Sequence, residues 1–425
     1  MNVLNNNSVL KFALFFWVLI AVLYLRHTPL DHRNHDYSHH LYYTEIIATQ
    51  HRFPKPYEGT ETYHPPLYYL INSFLAPESL KTDKVLHSNC VRGLSVFYGA
   101  LTIILLSWFC SKFVPDKRAR LIALLFLITT PKFMFIFSTY NVDSLATLIS
   151  VAVITISYML YTNWSKNLAL VFLLISTAGI YTKYTTVFCM IVVSLMCSYN
   201  FLKGKLPNKK QFGIISIFVL AMILHYPWLI NHNYKNTGRL TPTNTDFKID
   251  QNLSIQSYFN SIRSVIRIPI LQSTPHEWDE PWVYTIADHP ETKANDYIST
   301  AFITSLIGEY VFSKPHKNFI WILYCIHLVL YIAAFMQVGL SPINKLAGSL
   351  IFLAHFVYLL MLGRVSIPVW AAYYDFRLIC WSWLGWFILY SSLLVNGSKW
   401  WKKLFVASVV LHVYILLTVE GGYWY

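Results

Sequence analysis

Charge is scarce in this sequence. Asp, Glu, Lys and Arg make up 12% of its 425 residues, and only 20 of them are acids, where an ordinary soluble domain carries about 25% charged residues. A conventional soluble surface cannot be built from that stock. Cysteine is thin as well: Cys90, Cys110, Cys189, Cys197, Cys325 and Cys380 lie in or beside apolar runs with no CxxC pair. They read as small buried hydrophobes, not as a disulfide framework. Internal repeats and low-complexity tails are absent too. What fills the chain is apolar: 55% of residues are hydrophobic and 17% aromatic, with a mean hydropathy of +0.43.

Apolar runs long enough to cross a bilayer, about 17 to 25 residues, recur from end to end. Spans are expected near 9–25, 90–111, 121–139, 144–161, 167–182, 184–201, 212–230, 318–338, 346–363, 377–395 and 404–419. The fold class is therefore an all-α polytopic membrane protein of about eleven transmembrane helices. No small-residue cleavage pattern follows the first run, which reads as an uncleaved span. The net charge of +13 does not point to nucleic acid, because the basic residues cluster between spans. With the N-terminus in the cytosol, Lys112, Lys117, Arg118 and Arg120, then Lys203, Lys205, Lys209 and Lys210, then Lys345, then Lys399, Lys402 and Lys403 all fall on the cytosolic side, as the positive-inside rule requires.

Two large loops, 26–89 and 231–317, then lie on the opposite side. The chain divides on this reading into a 1–230 membrane module, a 231–317 outer loop and 318–425 C-terminal helices. Surface helices are expected over 64–77, "HPPLYYLINSFLAP", where Pro65 and Pro66 suit a helix start, over 251–270 and over 297–312.

Ionisable residues at membrane depth are costly, and so are functional candidates. In "HDYSHHLYY" (35–43) a helix would place Asp36 and His40 on one face, with Tyr43 a turn further on. That pair can be a general base, a metal ligand or a structural pair. His35, His39 and His40 also form an HxxxHH box of the kind found in di-iron desaturases, but the other histidines are isolated, which argues against that chemistry. Asp143 in "TYNVDSLA" (139–146) occupies a very short connection on the same side as Asp36; its plainest use is as a helix cap. Lys183 in "TKYTT" (182–186) closes the fifth span, where a lysine can simply snorkel to the interface.

These pieces, in this order, resemble the GT-C class of membrane glycosyltransferases, most closely the dolichyl-phosphate-mannose protein mannosyltransferase and aminoarabinose-transferase-like branch. The pattern D-E-x-x-H-x-Y-Y after the first span is matched by Asp36, His40, Tyr42 and Tyr43, with Tyr37 in place of the second acid. "RFPKPYEGTE" then leads into an H/K-P-P-L-Y-Y helix, His64 to Tyr69. Asp143 corresponds to the acid between the third and fourth spans, and Thr182-Lys183 to the fifth-span "TK". The resemblance covers residues 9–200 well. Beyond them it is looser, through "PWLINHNYKNTGRL" (227–240), "SLIGEY" (305–310) and "YYDFRLICW" (373–381).

The resemblance implies an inverting transferase that moves a sugar from a polyprenyl-phosphate donor to a glycan, lipid or protein acceptor on the non-cytosolic face. The membrane would be a bacterial plasma membrane ahead of the endoplasmic reticulum. Asp36 is the candidate base. His64, Lys183 and Arg377 are candidates to hold the donor phosphate, with Arg239, Arg263 and Arg267 behind them. Asp143 would orient the acceptor, bind a cation or hold Lys183. His40, Tyr43, Tyr68 and Tyr69 would line the substrate and lipid groove. A divalent cation held by Asp36, Asp143 and a histidine stays open beside no metal at all, and no organic cofactor is implied. "HEWDEPW" (276–282) offers Trp278 and Trp282 for sugar stacking or interface anchoring. Two rivals stand: a transporter or lipid flippase, which would place ionisable residues near mid-span, and an inactive GT-C-like scaffold, prompted by the missing second acid.

Overall fold

The computed structural model describes residues 8–28, 30, 36–75, 77–202, 209–242, 314–362 and 376–418. Each expected span contains helix among the described residues. The helices are α1 (Ser8–His27), α2 (Tyr37–Gln50), α3 (Leu67–Ser73), α4 (Ser79–Thr82), α5 (Lys84–Ser111), α6 (Lys117–Thr129), α7 (Pro131–Ser138), α8 (Asp143–Thr162), α9 (Lys166–Thr182), α10 (Thr185–Leu202) and α11 (Lys209–Trp228). Four more follow: Lys314–Phe335, Pro342–Leu362, Trp383–Asn396 and Lys399–Thr418. No strand occurs among the described residues. Among the described residues seven helices are long and apolar enough to cross a membrane, or eight if the bent pair α6–α7 counts as one span.

That bend is 65°. The expected third span, 121–139, breaks at Thr130, whose ψ of 136° is the extended geometry imposed on a residue that precedes proline. At the other irregularity Pro227 ends the regular part of α11, and a π-helical turn, Leu229–Tyr234, follows.

The chain forms two compact units that interleave in sequence: Met1–Arg33, Cys110–Ile136 and Lys248–Tyr425 make the first, Asn34–Phe109 and Phe137–Phe247 the second. In the first unit Phe126 packs against His327, Tyr390 and Phe405, and Trp17 meets Phe133 edge-on. Polar side chains there bond across helices, as they must where no water is at hand. His327 Nε2 lies 2.8 Å from His412 Nε2, and Asn344 Nδ2 donates to Ser392 Oγ at 2.9 Å.

The second unit is a bundle of α5, α8, α9, α10 and α11 closed at one end by the 36–75 segment. The starts of α5, α8 and α10 and the ends of α9 and α11 meet there, as expected if these helices alternate in direction. Tyr37 Oη bonds Ser88 Oγ at the start of α5 at 2.8 Å. Tyr140 Oη, just before α8, donates to Thr44 Oγ1 on α2 at 2.7 Å. His232 Nε2, past α11, bonds the Pro54 carbonyl at 2.9 Å, with its ring stacked on Trp228 at 4.0 Å.

Candidate functional site

The candidate residues of the second unit converge at that closed end. Asp36 precedes the first turn of α2, whose amide of His40 donates to the Asp36 carbonyl at 3.0 Å, so the expected one-turn spacing holds. The Asp36 side chain is half-buried and makes no capping bond to its own helix. His40 is buried, its Nδ1 bonded to Tyr69 Oη at 2.9 Å. Burial pushes the His40 imidazole down to about 4, against the opposing pull of Glu61 and then Asp36, with His64 and Lys183 pushing in the same direction as burial. His40 is thus neutral near pH 7, and those four charged or titratable groups surround it.

Asp143 and Lys183 form an ion pair. Lys183 Nζ donates to Asp143 Oδ1 at 2.5 Å, and the side chains are 9% and 2% exposed. Asp143 opens α8, and its amide donates to the Asn141 side-chain oxygen at 2.8 Å. The preceding loop is pinned from α5, where Arg92 Nε donates to the Ser138 carbonyl and Ser95 Oγ to that of Thr139, both at 3.0 Å. On the other side Lys183 leaves α9 in extended backbone, not in a free snorkelling position. Gly179, one turn earlier, lets α9 close on α8: a Cβ there would stand 2.9 Å from Ile149 Cγ2.

His64 opens the segment leading into α3. Its Nε2 pairs with Glu61 Oε2 at 2.7 Å, with both side chains buried. Glu61 is held by a tight turn in which Thr62 Oγ1 donates to the Gly59 carbonyl and accepts from the Gly59 amide. The Tyr43 hydroxyl donates to the His64 carbonyl at 3.2 Å, and the Tyr43 ring stacks on Tyr69 at 3.8 Å. Tyr68 meets Tyr69 and Tyr140 edge-on. Burial, then the Glu61 carboxylate, push the Tyr69 phenol well above its usual range.

No protein-family model matches the chain, and no curated protein matches it significantly. Solved structures do. The S. cerevisiae protein O-mannosyltransferase Pmt1-Pmt2 complex bound to the sugar donor is 18% identical, with 55% of this chain and 34% of that one covered and a TM-score of 0.40. The archaeal oligosaccharyltransferase AglB from Archaeoglobus fulgidus, in complex with an inhibitory peptide and a dolichol-phosphate, is 10% identical, with 97% and 56% covered and a TM-score of 0.48. The chain spans about a third of the one structure's length and about half of the other's.

Asp36, His40, Tyr43, His64, Tyr68, Tyr69, Asp143 and Lys183 therefore gather in one unit. His40, Tyr43, Tyr68 and Tyr69 are buried against one another as a packed aromatic floor. The reason is the placement of α3 under α2, which turns both tyrosine rings inward. Arg377 sits in the 3₁₀ turn Phe376–Ser382 of the first unit. Arg263, Arg267, Trp278, Trp282 and the helices expected over 251–270 and 297–312 lie outside the described residues. Among the described residues no three His, Cys, Asp or Glu side chains form a group able to hold an ion.

Sequence reasoning missed Glu61, Arg92 and Asn141. Arg92 had a signal: it falls inside the expected span 90–111, where an arginine needs a partner. Glu61 had a fainter one, being an acid three residues before His64 in a chain poor in acids.

Proposed function

We propose that this chain is a GT-C-type inverting glycosyltransferase that takes a sugar from a polyprenyl-phosphate donor and joins it to an acceptor on the non-cytosolic face of the membrane. The observation that carries this reading is the gathering of one half-buried acid, Asp36, and two buried acid–base pairs, Glu61–His64 and Asp143–Lys183, around His40 at a single end of a helical bundle. Structural ion pairs do not need to congregate. A displacement that makes an alkoxide-like nucleophile and a phosphate leaving group needs a base on one side and cations on the other.

Asp36 takes the proton of the acceptor hydroxyl as its oxygen bonds to the anomeric carbon. The bond from that carbon to the phosphate oxygen breaks on the opposite face, which inverts the configuration. Lys183 and His64 stabilise the charge growing on the phosphate, and Asp143 holds the Lys183 ammonium in place. The neutral His40 and the tyrosine floor fix α2 and α3 beneath these groups.

The transporter reading draws on other residues: Lys132, which is fully buried beside the α6–α7 bend, and the His327–His412 pair lie inside apolar helices. One experiment separates the two. Purified protein in proteoliposomes is given a panel of polyprenyl-phosphate sugars, and wild type is compared with Asp36→Asn. Transfer by the wild type alone supports the enzyme and its base. Movement of donor across the bilayer without transfer favours the transporter, and full activity of Asp36→Asn removes Asp36 from the base role.

A further inference from the structure

Where the resembled pattern has a second acid, this chain has Tyr37, and that side chain turns to Ser88 and Tyr140. A second carboxylate reaches the cluster from another part of the loop. Glu61 is the strongest charged influence on His40, ahead of Asp36, and it is bonded to His64. His64 in turn stands where the resemblance admits either lysine or histidine. The two are not equivalent, since a lysine keeps its charge at neutral pH and a buried imidazole is readily discharged.

We propose that Glu61 is the positioning residue for His64: its carboxylate holds the ring by Nε2 and keeps it cationic, so that histidine presents to the donor phosphate the fixed charge a lysine would supply. This rests on the reading of His64 as a phosphate ligand. Glu61 and Tyr63 face the imidazole on its own loop, Tyr43 on α2 bonds the His64 carbonyl, Tyr69 on α3 lies near Glu61, and His40 on α2 is acted on by His64, Asp36 and Lys183 together. The tyrosines stay neutral at working pH, His40 is neutral, and Lys183 is paired with Asp143. The carboxylate bonded to His64 is what offsets burial. The turn through Gly59 and Thr62 gives Glu61 a fixed approach, with Tyr42 closing over Gly59: a Cβ on that glycine would stand 2.9 Å from the Tyr42 ring.

The test measures binding of polyprenyl phosphate to the full chain in nanodiscs at about pH 6 and about pH 8, either side of the ordinary histidine range. Wild type is compared with Glu61→Gln, His64→Gln, His64→Lys and Glu61→Gln/His64→Lys. Glu61→Gln should bind like wild type at the lower pH and about tenfold more weakly at the higher one, where a ring without its carboxylate partner has lost its charge. The two His64→Lys proteins should bind alike at both, which also shows that Glu61→Gln folds. If His64→Gln weakens binding while Glu61→Gln matches wild type throughout, the role of Glu61 is overturned and that of His64 stands. Unchanged binding by His64→Gln overturns the phosphate reading and this inference with it. Weak binding by Glu61→Gln at both pH values, unrelieved by His64→Lys, makes Glu61 a structural residue and overturns the inference alone.

Discussion

Lys183 Nζ lies 2.5 Å from Asp143 Oδ1, joining the residue that follows α9 to the residue that opens α8, with both side chains withdrawn from solvent. Taking one charge from such a pair leaves the other buried and uncompensated, which costs about 3–5 kcal/mol. Asp143→Asn and Lys183→Met should each melt markedly below wild type in detergent. The double variant Asp143→Leu/Lys183→Met should regain much of that stability, because apolar pairs replace buried ion pairs with little loss. Sugar transfer should stay absent in all three. A double variant that transfers at the wild-type rate would make the pair a purely structural device.

Asp36 makes the contrasting case. Its side chain is half-buried at the start of α2 and Asn keeps its size, so Asp36→Asn should lower the melting temperature far less than Asp143→Asn does. Loss of a general base should nevertheless lower kcat by about 10²–10⁴-fold. Parallel loss of stability and rate would assign Asp36 to the fold.

Much of this was legible in the sequence because the bilayer imposes simple arithmetic. Each apolar run from 9–25 to 404–419 contains a helix. Asp36 and His40 were paired by the one-turn spacing, and Asp143 and Lys183 were placed on one side by counting spans. Neither device sees inside a loop. Glu61 reaches His64 through a turn made by Gly59 and Thr62, a local bonding choice with no periodicity. The bend at Thr130 was in principle visible, since Pro131 lies within an apolar run and removes a helical hydrogen bond. The burial of Tyr68 and Tyr69 was not legible for a different reason. Pattern gives the spacing of two adjacent aromatics but not which neighbouring helix will cover them.

His40 predicts a pH dependence of stability. Its ordinary value of 6.5 falls to about 4 in the folded protein, through burial. Between those values the unfolded chain binds more protons than the folded one, so stability rises with pH there. The full contribution is present above about pH 6.5 and is lost as pH falls toward 4, at a limiting slope of about 1.4 kcal/mol per pH unit. His40→Gln keeps a group able to bond Tyr69 and removes the titration. Its melting temperature should therefore decline less steeply than that of wild type over this window. Identical slopes would mean that His40 does not titrate as its burial requires.

Gly179 tests how the Asp143–Lys183 pair is aligned. A Cβ at this position would meet Ile149 Cγ2 at 2.9 Å and Thr186 Oγ1 at 3.3 Å, so Gly179→Ala must push α9 off α8 by a few tenths of an ångström, one turn before Lys183. Alanine is the better helix former by about 1 kcal/mol, and overpacking costs about 1–3 kcal/mol. The net effect on stability is therefore small, while the displacement acts directly on the ion pair. Transfer should fall by more than the melting temperature suggests. Ile149→Ala removes the Cγ2 methyl, so Gly179→Ala should be better tolerated in that background than alone. Such coupling is what contact predicts, and strict additivity of the two changes would show that α9 does not rest on α8 through this glycine.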